Sequence, residues 1–385
     1  MLFSTPALTD DDNAVLEAIE AHRSELRFNL GSSKRWAGML ARQQRARDVL
    51  GSNSIEGIHV SKDEALAMTD DQDELVDVDD DWLAVKGYSD AMTYARIMAE
   101  EGRQLTGPDL LALHFMVTSH DLTKSPGRLR SNEVYVQEEA TGKNVYVGPG
   151  PDIVPELIGE FLETLSEPLG GVHPFVAAAM AHLNLVMIHP FKDGNGRISR
   201  ILQSWFLYRE NLADADFVSI EEYLGRNTRA YYDVLADVGA GQWSPQRDAG
   251  PWVEFMLTAH YRQAMTIRRR VKFAEYVAVK VDALIEEHGL PERAASPLEF
   301  CFNGWRLNNS HYRRTAAVTP GVASRDLRAL TTAGILNREG DKKGASYLPT
   351  TALREWLGDI RLKTRSQFDL SIDPYRALRR GQDLM

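Results

Sequence analysis

The longest largely apolar stretch of this chain leads directly into a polar loop that contains two closely spaced glycines. The stretch runs from Phe175 to Ile188, fourteen residues in which only His182 and Asn184 are polar. This length suits a buried helix and is too short to cross a bilayer. Apolar residues at helical spacing resume after Gly196. The sequence therefore predicts a mainly helical fold with a polar loop between two buried helices.

Composition narrows the classes of protein further. The 385 residues suggest two or three domains, at roughly 150 residues per domain. A net charge of −11 excludes a chain that coats nucleic acid over its whole surface, although one basic domain can still bind it. The single cysteine, Cys301, excludes a disulfide framework and favours a reducing cytoplasm. The first residues lack a basic segment followed by an apolar one, so we expect no signal peptide and no membrane partner.

The polar loop spans 189–200 and reads His-Pro-Phe-Lys-Asp-Gly-Asn-Gly-Arg-Ile-Ser-Arg. Glycines on either side of Asn195 allow backbone N–H groups to converge where the next helix begins, a place that attracts an anion. Arg197 and Arg200 are three residues apart, so they share one helical face and point toward the same anion. The loop is therefore predicted to hold a phosphate.

Two further residues of the loop supply the chemistry. Asp193 beside a phosphate is a ready Mg²⁺ ligand, because Mg²⁺ takes one or two carboxylates together with phosphate oxygens. His189 carries the side chain best suited to accept a proton near pH 7. A base, a metal carboxylate, a phosphate cradle and two arginines together predict phosphoryl or nucleotidyl transfer.

Other assignments of these residues fit less well. No Gly-Lys-Ser/Thr follows the loop, which excludes a Walker motif, and Ser199 stands where a dinucleotide-binding fingerprint has its third glycine. A helix precedes the turn, whereas that fingerprint follows a strand. His182 lies inside the apolar stretch and is predicted to be a hydrogen-bonded core histidine.

The loop matches the pattern His-Pro-Phe-x-Asp-Gly-Asn-Gly-Arg-x-x-Arg without departure, and in this the chain resembles the Fic family. The resemblance extends to Leu105-Thr106, Leu113-His114, the segment from Pro126 to Arg130, and Tyr231-Tyr232. It covers roughly residues 1 to 240 and is strongest from 105 to 205.

Most Fic enzymes transfer AMP from ATP to a Ser, Thr or Tyr hydroxyl of a protein. The resemblance implies ATP as substrate and Mg²⁺ as metal, with His189 accepting the proton of the hydroxyl and Asp193 binding the metal. It assigns phosphate binding to Gly194, Asn195, Gly196, Arg197 and Arg200. Gly196 stands where the kinase branch of the family has lysine, which favours AMP transfer. Asn227 and Tyr231 lie where the family closes over adenine, and Tyr231 also fits a core position.

A second motif, from Ser52 to Gly57, reads Ser-Asn-Ser-Ile-Glu-Gly. It resembles the Fic inhibitory pattern Ser/Thr-x-x-x-Glu-Gly/Asn, carried on a helix ahead of the catalytic core. The resemblance implies that Glu56 pairs with Arg200 and withdraws it from the γ-phosphate of ATP. Some Fic enzymes use this glutamate to remove AMP, so de-AMPylation and self-modification both stay open.

Residues 133–147 change from helical to alternating periodicity and predict a β-hairpin, with Gly142 in its turn. The resemblance implies that this hairpin is the family's flap. An extended segment of the protein substrate would add to its edge and bring a hydroxyl to His189. A purely structural hairpin is the alternative.

The C-terminal part is predicted to form a small separate module. A helix over 322–330 is followed by two short strands around a basic turn, which resembles a winged helix-turn-helix. From 294 to 348 the chain has a local net charge of +4, from eight basic and four acidic residues. That charge permits DNA contact through Arg325 and Arg328, and docking of a protein is the alternative.

The expected fold class is mainly α: a Fic-type helical core with a β-hairpin flap, plus a small C-terminal winged helix-turn-helix. The predicted regions are an N-terminal helical region with the inhibitory helix over 1–100, a Fic catalytic domain over 101–245, a connecting helix over 246–290, the winged module over 291–360 and an unassigned tail over 361–385. Within this scheme 290–297 is predicted to be a linker and the acidic run 69–81 a solvated loop. The alternative to an adenylyltransferase is a DNA-binding transcriptional regulator whose Fic domain senses nucleotide or modifies a partner.

Overall fold

The fold is taken from a computed structural model that describes residues 1–30, 34–69, 79–137, 144–210, 212, 219–340 and 345–384. The chain divides into two compact units. Unit 1 consists of Met1–Ala21, Gln44–Ala264 and Asp373–Met385, and unit 2 consists of His22–Gln43 and Met265–Ile372. The domain boundaries predicted from the sequence remain predictions.

Long helices dominate the chain, as the periodicity predicts. Three of them contribute residues to both units: α1 (Asp10–Leu30), α2 (Ala37–Ile55) and α11 (Gly250–His288). The other helices of unit 1 are α3 (Lys62–Thr69), α4 (Asp80–Glu100), α5 (Gly107–Thr118), α6 (Val154–Ser166), α7 (Pro174–Ile188), α8 (Asn195–Arg209), α9 (Glu221–Arg226), α10 (Thr228–Gly239) and α16 (Pro374–Arg379).

The apolar helix α7 lies at the centre of unit 1. It packs against α8 and α6, and α4 packs against both α8 and α5. Every residue of α7 from Val176 to Ile188 is buried except Ala177, which accounts for the unbroken apolar pattern. Among the described residues, no helix is both long and apolar enough to cross a membrane. The ends of α7 and α8 meet at the polar loop, so rigid elements hold the loop on both sides.

Helix α5 begins with a reciprocal cap at its N-terminus. The Thr106 side chain accepts a hydrogen bond from the Asp109 N–H, the Asp109 carboxylate accepts one from the Thr106 N–H, and Pro108 lies in the first turn. This reciprocal capping satisfies backbone donors that the helix itself cannot.

The acidic run 69–81 was predicted to be a solvated loop, but both of its ends are part of helices. Thr69 is the last residue of α3, and α4 begins at Asp80 with Asp79 as its N-cap, whose side chain accepts from the Trp82 N–H. Carboxylates at a helix N-terminus are stabilised by the helix dipole, which explains why a run of aspartates starts a helix. The rest of the run, 70–78, lies outside the described residues.

The predicted hairpin is confirmed where it is described. Strands β1 (Tyr135–Gln137) and β2 (Asn144–Val147) are antiparallel, with Tyr135 opposite Val147. Tyr146 is buried, and its hydroxyl donates to the Met187 carbonyl at 2.6 Å, which fixes β2 to the end of α7. The turn that contains Gly142 lies outside the described residues.

Unit 2 carries a three-stranded antiparallel sheet of order β3-β5-β4, formed by β3 (Leu307–Asn308), β4 (Leu336–Glu339) and β5 (Ser346–Pro349). Its shorter helices are α12 (Ala295–Phe302), α13 (Asn309–Thr315), α14 (Pro320–Thr332) and α15 (Thr351–Gln367). Helix α14 packs on α13 and on β4. The predicted helix over 322–330 and the two strands that follow it are thereby confirmed.

One expectation for the C-terminal part is wrong, and the unassigned tail gains a structure. The linker prediction over 290–297 is wrong for its second half, because Glu292–Ala294 forms a 3₁₀ turn and α12 begins at Ala295. Pro297 lies in the first helical turn, where a backbone N–H has no intrahelical acceptor and its absence costs nothing. The tail beyond 360, left without a prediction, is largely helical through α15 and α16.

Candidate active site

His189 lies at the junction between α7 and the polar loop. It caps α7 in a left-handed conformation (φ 51°, ψ 57°), which a non-glycine residue adopts only when its surroundings hold it there. Its Nδ1 lies 3.1 Å from the Val186 carbonyl. A carbonyl only accepts, so Nδ1 carries the proton of the neutral ring and Nε2 keeps a lone pair.

Arg130 holds the backbone on which His189 sits. Its Nε donates to the His189 carbonyl at 2.7 Å, and its Nη2 donates to the Pro149 carbonyl at 2.5 Å. Burial is the main cause that lowers the pKa of His189, and the positive charge of Arg130 adds to it. The imidazole is therefore neutral near pH 7 and able to accept a proton.

The loop itself is closed by the Asn195 side chain. Its Oδ1 accepts from the Phe191 N–H and its Nδ2 donates to the Phe191 carbonyl, both at 2.9 Å. Gly194 adopts φ 81° and precedes α8 with no side-chain cap on its first N–H groups. These uncapped donors, at the positive end of the helix dipole, form a site for an anion.

Both arginines of the loop are almost fully buried, each 1% exposed. Arg197 Nη1 donates to the Val117 carbonyl at 3.4 Å, and Arg197 Nε has no hydrogen-bond partner among the described residues. Burial lowers the pKa of Arg197. Two guanidinium groups enclosed beside uncapped helix N–H groups are suited to bind a polyphosphate.

Arg200 is already paired. Its Nη2 donates to Glu56 Oε1 at 2.7 Å, its Nε donates to Ser52 Oγ at 2.7 Å, and Nη2 also lies 3.1 Å from the Ser52 carbonyl. Burial alone would lower the pKa of Arg200, but the Glu56 carboxylate raises it above its ordinary value. The motif 52–57 thus contacts the loop 189–200 through Arg200.

The motif 52–57 begins inside α2 and ends beyond it. Helix α2 ends at Ile55, and Glu56 lies in the turn that follows, with its N–H donating to the Asn53 carbonyl at 3.0 Å. Gly57 adopts φ 72°, the left-handed conformation that terminates a helix and that glycine adopts without strain. This turn aims the Glu56 side chain at α8.

Gly196 permits the close approach of Glu56 to α8. A Cβ at this position would lie 2.6 Å from Glu56 Oε1 and 3.1 Å from Arg200 Nη1. Any larger residue here would push the carboxylate and the guanidinium aside, so the space above Gly196 is shared between the pair and whatever ligand the site takes.

Asp193 is the carboxylate of the loop, and its side chain is 40% exposed. It accepts from the Gly194 N–H through Oδ1 and lies 3.0 Å from Lys124 Nζ through Oδ2. Partial burial would raise its pKa, but Lys124 and Arg197 lower it below the ordinary value. The carboxylate is therefore ionised near pH 7.

A single ionised carboxylate fits Mg²⁺ only if another molecule supplies most of the oxygens. Among the described residues, no group of three or more His, Cys, Asp or Glu side chains is arranged to hold a metal. Mg²⁺ commonly binds through one carboxylate plus substrate phosphates. Asp193 fits that mode.

His114 of α5 contacts both the backbone and a side chain of the loop 189–200. The Gly127 N–H donates to its Nδ1 at 2.9 Å, which leaves Nε2–H to donate to the Asp193 carbonyl at 3.0 Å. The ring stacks on Phe191 with centroids 3.8 Å apart. Burial lowers the pKa of His114 to about 4, so the ring stays neutral and fixes the Asp193 backbone.

The two residues predicted near adenine are not both at the surface of the site. Tyr231 is 1% exposed, and its hydroxyl lies 2.9 Å from His182 Nε2. His182 is fully buried, its Nδ1 lies 2.7 Å from Gln203 Oε1, and burial lowers its pKa to about 3, as expected of a core histidine. Asn227 joins α9 to α10 and donates from Nδ2 to the Tyr223 carbonyl at 2.8 Å.

Comparison with known proteins identifies the segment around this site. Residues 104–207 match the model of the Fic/DOC family. This segment resembles a Fic domain. It contains α5, the hairpin strands, α7, the loop and most of α8, and therefore every residue from His114 to Arg200 discussed above.

Named relatives resemble part of the chain. Two proteins called Protein adenylyltransferase Fic, from Drosophila willistoni and Drosophila virilis, are each 37% identical over 131 residues. The matched region is 34% of this chain, and it spans only about a quarter of each relative, 25% and 26% respectively.

Solved structures of Fic proteins share the fold beyond the Fic domain. A Fic family protein from Desulfovibrio desulfuricans G20 superposes with a TM-score of 0.57 at 22% identity, covering 90% of this chain and 98% of that one. Fic-1 (residues 134–508) from C. elegans superposes with a TM-score of 0.50 at 21% identity, covering 67% and 71% respectively. At these identities the likeness concerns the fold.

The sequence alone assigned no role to three residues that lie around the loop 189–200: His114, Lys124 and Arg130. His114 and Arg130 fall within stretches that resemble the family, but neither spacing nor composition indicates which backbone groups they bind. Their partners lie 59 to 79 residues away in the chain, so only the folded structure reveals them.

Proposed function

We propose that this chain is a protein adenylyltransferase that transfers AMP from ATP to a Ser, Thr or Tyr hydroxyl of a protein. The observation that carries the proposal is the position of His189, whose Nδ1 faces the Val186 carbonyl so that Nε2 keeps a lone pair, beside a helix N-terminus flanked by two buried arginines. The name shared by the Drosophila relatives supports the same class of reaction.

The chemistry follows from these positions. His189 Nε2 takes the proton of the incoming hydroxyl, whose oxygen bonds to the α-phosphorus of ATP while the bond to the β-phosphate breaks and pyrophosphate leaves. Arg197 and the N–H groups at Gly194–Gly196 bind phosphate oxygens and offset the developing charge. Asp193 would hold Mg²⁺, which neutralises charge on the phosphates. The flap, 133–147, would align the protein substrate by strand addition.

In the proposed mechanism Glu56 inhibits the enzyme through Arg200. The guanidinium engages Glu56 and Ser52 at 2.7 Å each and is thereby withdrawn from the γ-phosphate. Gly57 ends the helix that delivers Glu56, and the carboxylate lies where Gly196 leaves space. While the pair holds, a triphosphate can bind only in a pose whose α-phosphate is misaligned, so productive binding requires the pair to separate.

The decisive test is incubation of the full chain with Mg²⁺-ATP. We expect intact-protein mass spectrometry to find an added adenylate on a protein substrate or on the chain itself, and label from α-labelled but not γ-labelled ATP to be incorporated. Label from γ-labelled ATP would indicate phosphorylation instead. Incorporation from neither, in the chain and in its Glu56→Gly variant, would contradict the proposal.

A second candidate function, DNA-bound regulation, rests on the C-terminal part of unit 2. The helix pair α13 and α14 with the β3-β5-β4 sheet supports a winged-helix assignment. Arg325 and Arg328 are exposed on α14, while Asp326 on its opposite face is buried and bound by Arg293 at 2.7 and 2.9 Å. Docking of a protein on the same face is the alternative use.

If α14 contacts duplex DNA, replacing both Arg325 and Arg328 by glutamine should weaken binding. The slope of log affinity against log salt should fall by about 0.9 for each lost phosphate contact. Fluorescence anisotropy of the full chain with labelled duplex measures the affinity and its dependence on salt. Arg354→Gln, an exposed arginine of α15, is the matched control. A flat salt dependence in the unaltered chain would favour protein docking.

A further inference from the structure

The short turn between α5 and the Pro126–Arg130 segment is rigidly built. Leu122–Lys124 forms a 3₁₀ turn whose first N–H groups are capped by Asp121, since Asp121 Oδ1 accepts from the Thr123 N–H at 2.9 Å. Ser125 ends the turn in a left-handed conformation with φ 57°. Lys192 of the Fic loop donates from Nζ to the Thr123 carbonyl at 2.8 Å. Both the turn and its distance from the loop are therefore fixed.

This turn presents Lys124 to Asp193. Lys124 Nζ lies 3.0 Å from Asp193 Oδ2, and the lysine side chain is 24% exposed. The other carboxylate oxygen is occupied by the Gly194 N–H, with Arg197 Nη2 at 3.8 Å. Both oxygens of Asp193 thus have partners within the protein, and the nearer cationic partner is Lys124.

We propose that Lys124 holds the place of the divalent cation on Asp193 in the nucleotide-free protein and must leave before the cation binds. The inference rests on the proposed function only in taking Asp193 as the metal ligand. A cation coordinated at about 2.1 Å from Asp193 Oδ2 would lie within a few ångströms of the ammonium group, where two positive charges repel. Lys124 and the cation therefore compete for one carboxylate.

The competition has a consequence for the order of binding. A cation arriving alone must displace Lys124 with no compensating charge, whereas one arriving with a triphosphate brings anionic oxygens that Lys124 can approach instead. The pair thus disfavours metal binding without nucleotide. Lys124 acts through Asp193 and is a positioning residue in this role.

The test is direct measurement of Mn²⁺ binding by electron paramagnetic resonance of the free ion. The full chain and its Lys124→Met variant are titrated with and without α,β-methylene-ATP, whose α–β link cannot be cleaved. We expect the variant to bind Mn²⁺ about tenfold more tightly. This factor corresponds to the free energy of a part-buried Lys124–Asp193 ion pair together with the repulsion between the ammonium group and the cation. The larger gain should occur without nucleotide.

Matched variants distinguish the contact between Lys124 and Asp193 from a general effect of positive charge near the site. Lys124→Arg keeps the cation and should behave like the unaltered chain. Arg128→Met removes an exposed positive charge four residues away and should leave Mn²⁺ affinity unchanged. Asp193→Asn in the Lys124→Met background should abolish the gain.

Each outcome decides the matter. A Lys124→Met chain that binds Mn²⁺ no more tightly than the unaltered chain overturns the proposal, and so does an equal gain from Arg128→Met. Binding of α,β-methylene-ATP, measured in the same samples, tests the proposed function separately from the competition between Lys124 and the cation. If no variant binds the analogue, the adenylyltransferase assignment is contradicted, while the Mn²⁺ titration still tests Lys124.

Discussion

Replacing His189 by alanine should lower adenylate incorporation by about 10²- to 10⁴-fold, the usual contribution of a general base, while ATP binding persists. In the proposed mechanism the imidazole accepts the proton of the attacking hydroxyl, whereas the loop N–H groups and the two arginines bind the phosphates. Incorporation from α-labelled ATP and calorimetry with α,β-methylene-ATP measure the two effects separately.

The variant must also keep the backbone of position 189. Because this residue is left-handed with φ 51°, His189→Asn is the better-matched change, since asparagine tolerates that conformation. Both variants should lose transfer. His288→Ala, which removes an exposed imidazole at the end of α11, should not. Substantial transfer by His189→Asn would show that another group accepts the proton.

The pH profile gives an independent reading of the same residue. Burial lowers the pKa of His189 below its ordinary value of 6.5, and the base acts in its neutral form. Transfer should therefore be constant around pH 7 and decline only when the pH falls below 6.5. A decline that begins above pH 7 would indicate a different titrating group.

Local signals in the sequence predicted the elements that frame the site. The apolar run marks α7, and Gly194 marks the left-handed residue before α8. Both signals depend on residues close together in the chain, where backbone conformation and periodicity act. The linker prediction failed for a related reason, since a proline in the first turn of α12 fits a helix start as well as a linker.

Contacts between distant parts of the chain were predictable only through a family resemblance. The pairing of Glu56 with Arg200, 144 residues apart, was expected because a known motif carries it. The contact of Lys124 with Asp193 and that of Arg130 with His189 have no such motif. Their side chains are ordinary surface types in the sequence, and only the packing of α5 and the loop brings them to their partners.

Replacing Glu56 by glycine should raise adenylate incorporation roughly ten- to hundredfold, including incorporation into the chain itself. The pair with Arg200 is part-buried and reinforced by Ser52. If holding Arg200 costs the productive triphosphate complex about 1.5 to 3 kcal/mol, activity is reduced by one to two decades at about 1.4 kcal/mol per decade. Removing the carboxylate frees the guanidinium for the γ-phosphate.

Two companion variants distinguish loss of charge from loss of structure. Glu56→Gln keeps the size of the side chain without its charge and should activate as well, though less, because an amide oxygen can still accept from Arg200. Glu17→Gln removes an exposed carboxylate of α1 in the same unit and should leave the rate unchanged. Thermal unfolding of each variant checks that the fold is kept.

The activation experiment also separates inhibition from catalysis. Glu56→Gly combined with His189→Asn should return to background, because the freed Arg200 cannot replace the base. If Glu56→Gly folds, binds α,β-methylene-ATP as the unaltered chain does and transfers no faster, the pair with Arg200 is a structural contact and autoinhibition is excluded. Tighter analogue binding together with faster transfer would instead locate the inhibition at the entry of the γ-phosphate, where Glu56 and Gly196 approach each other.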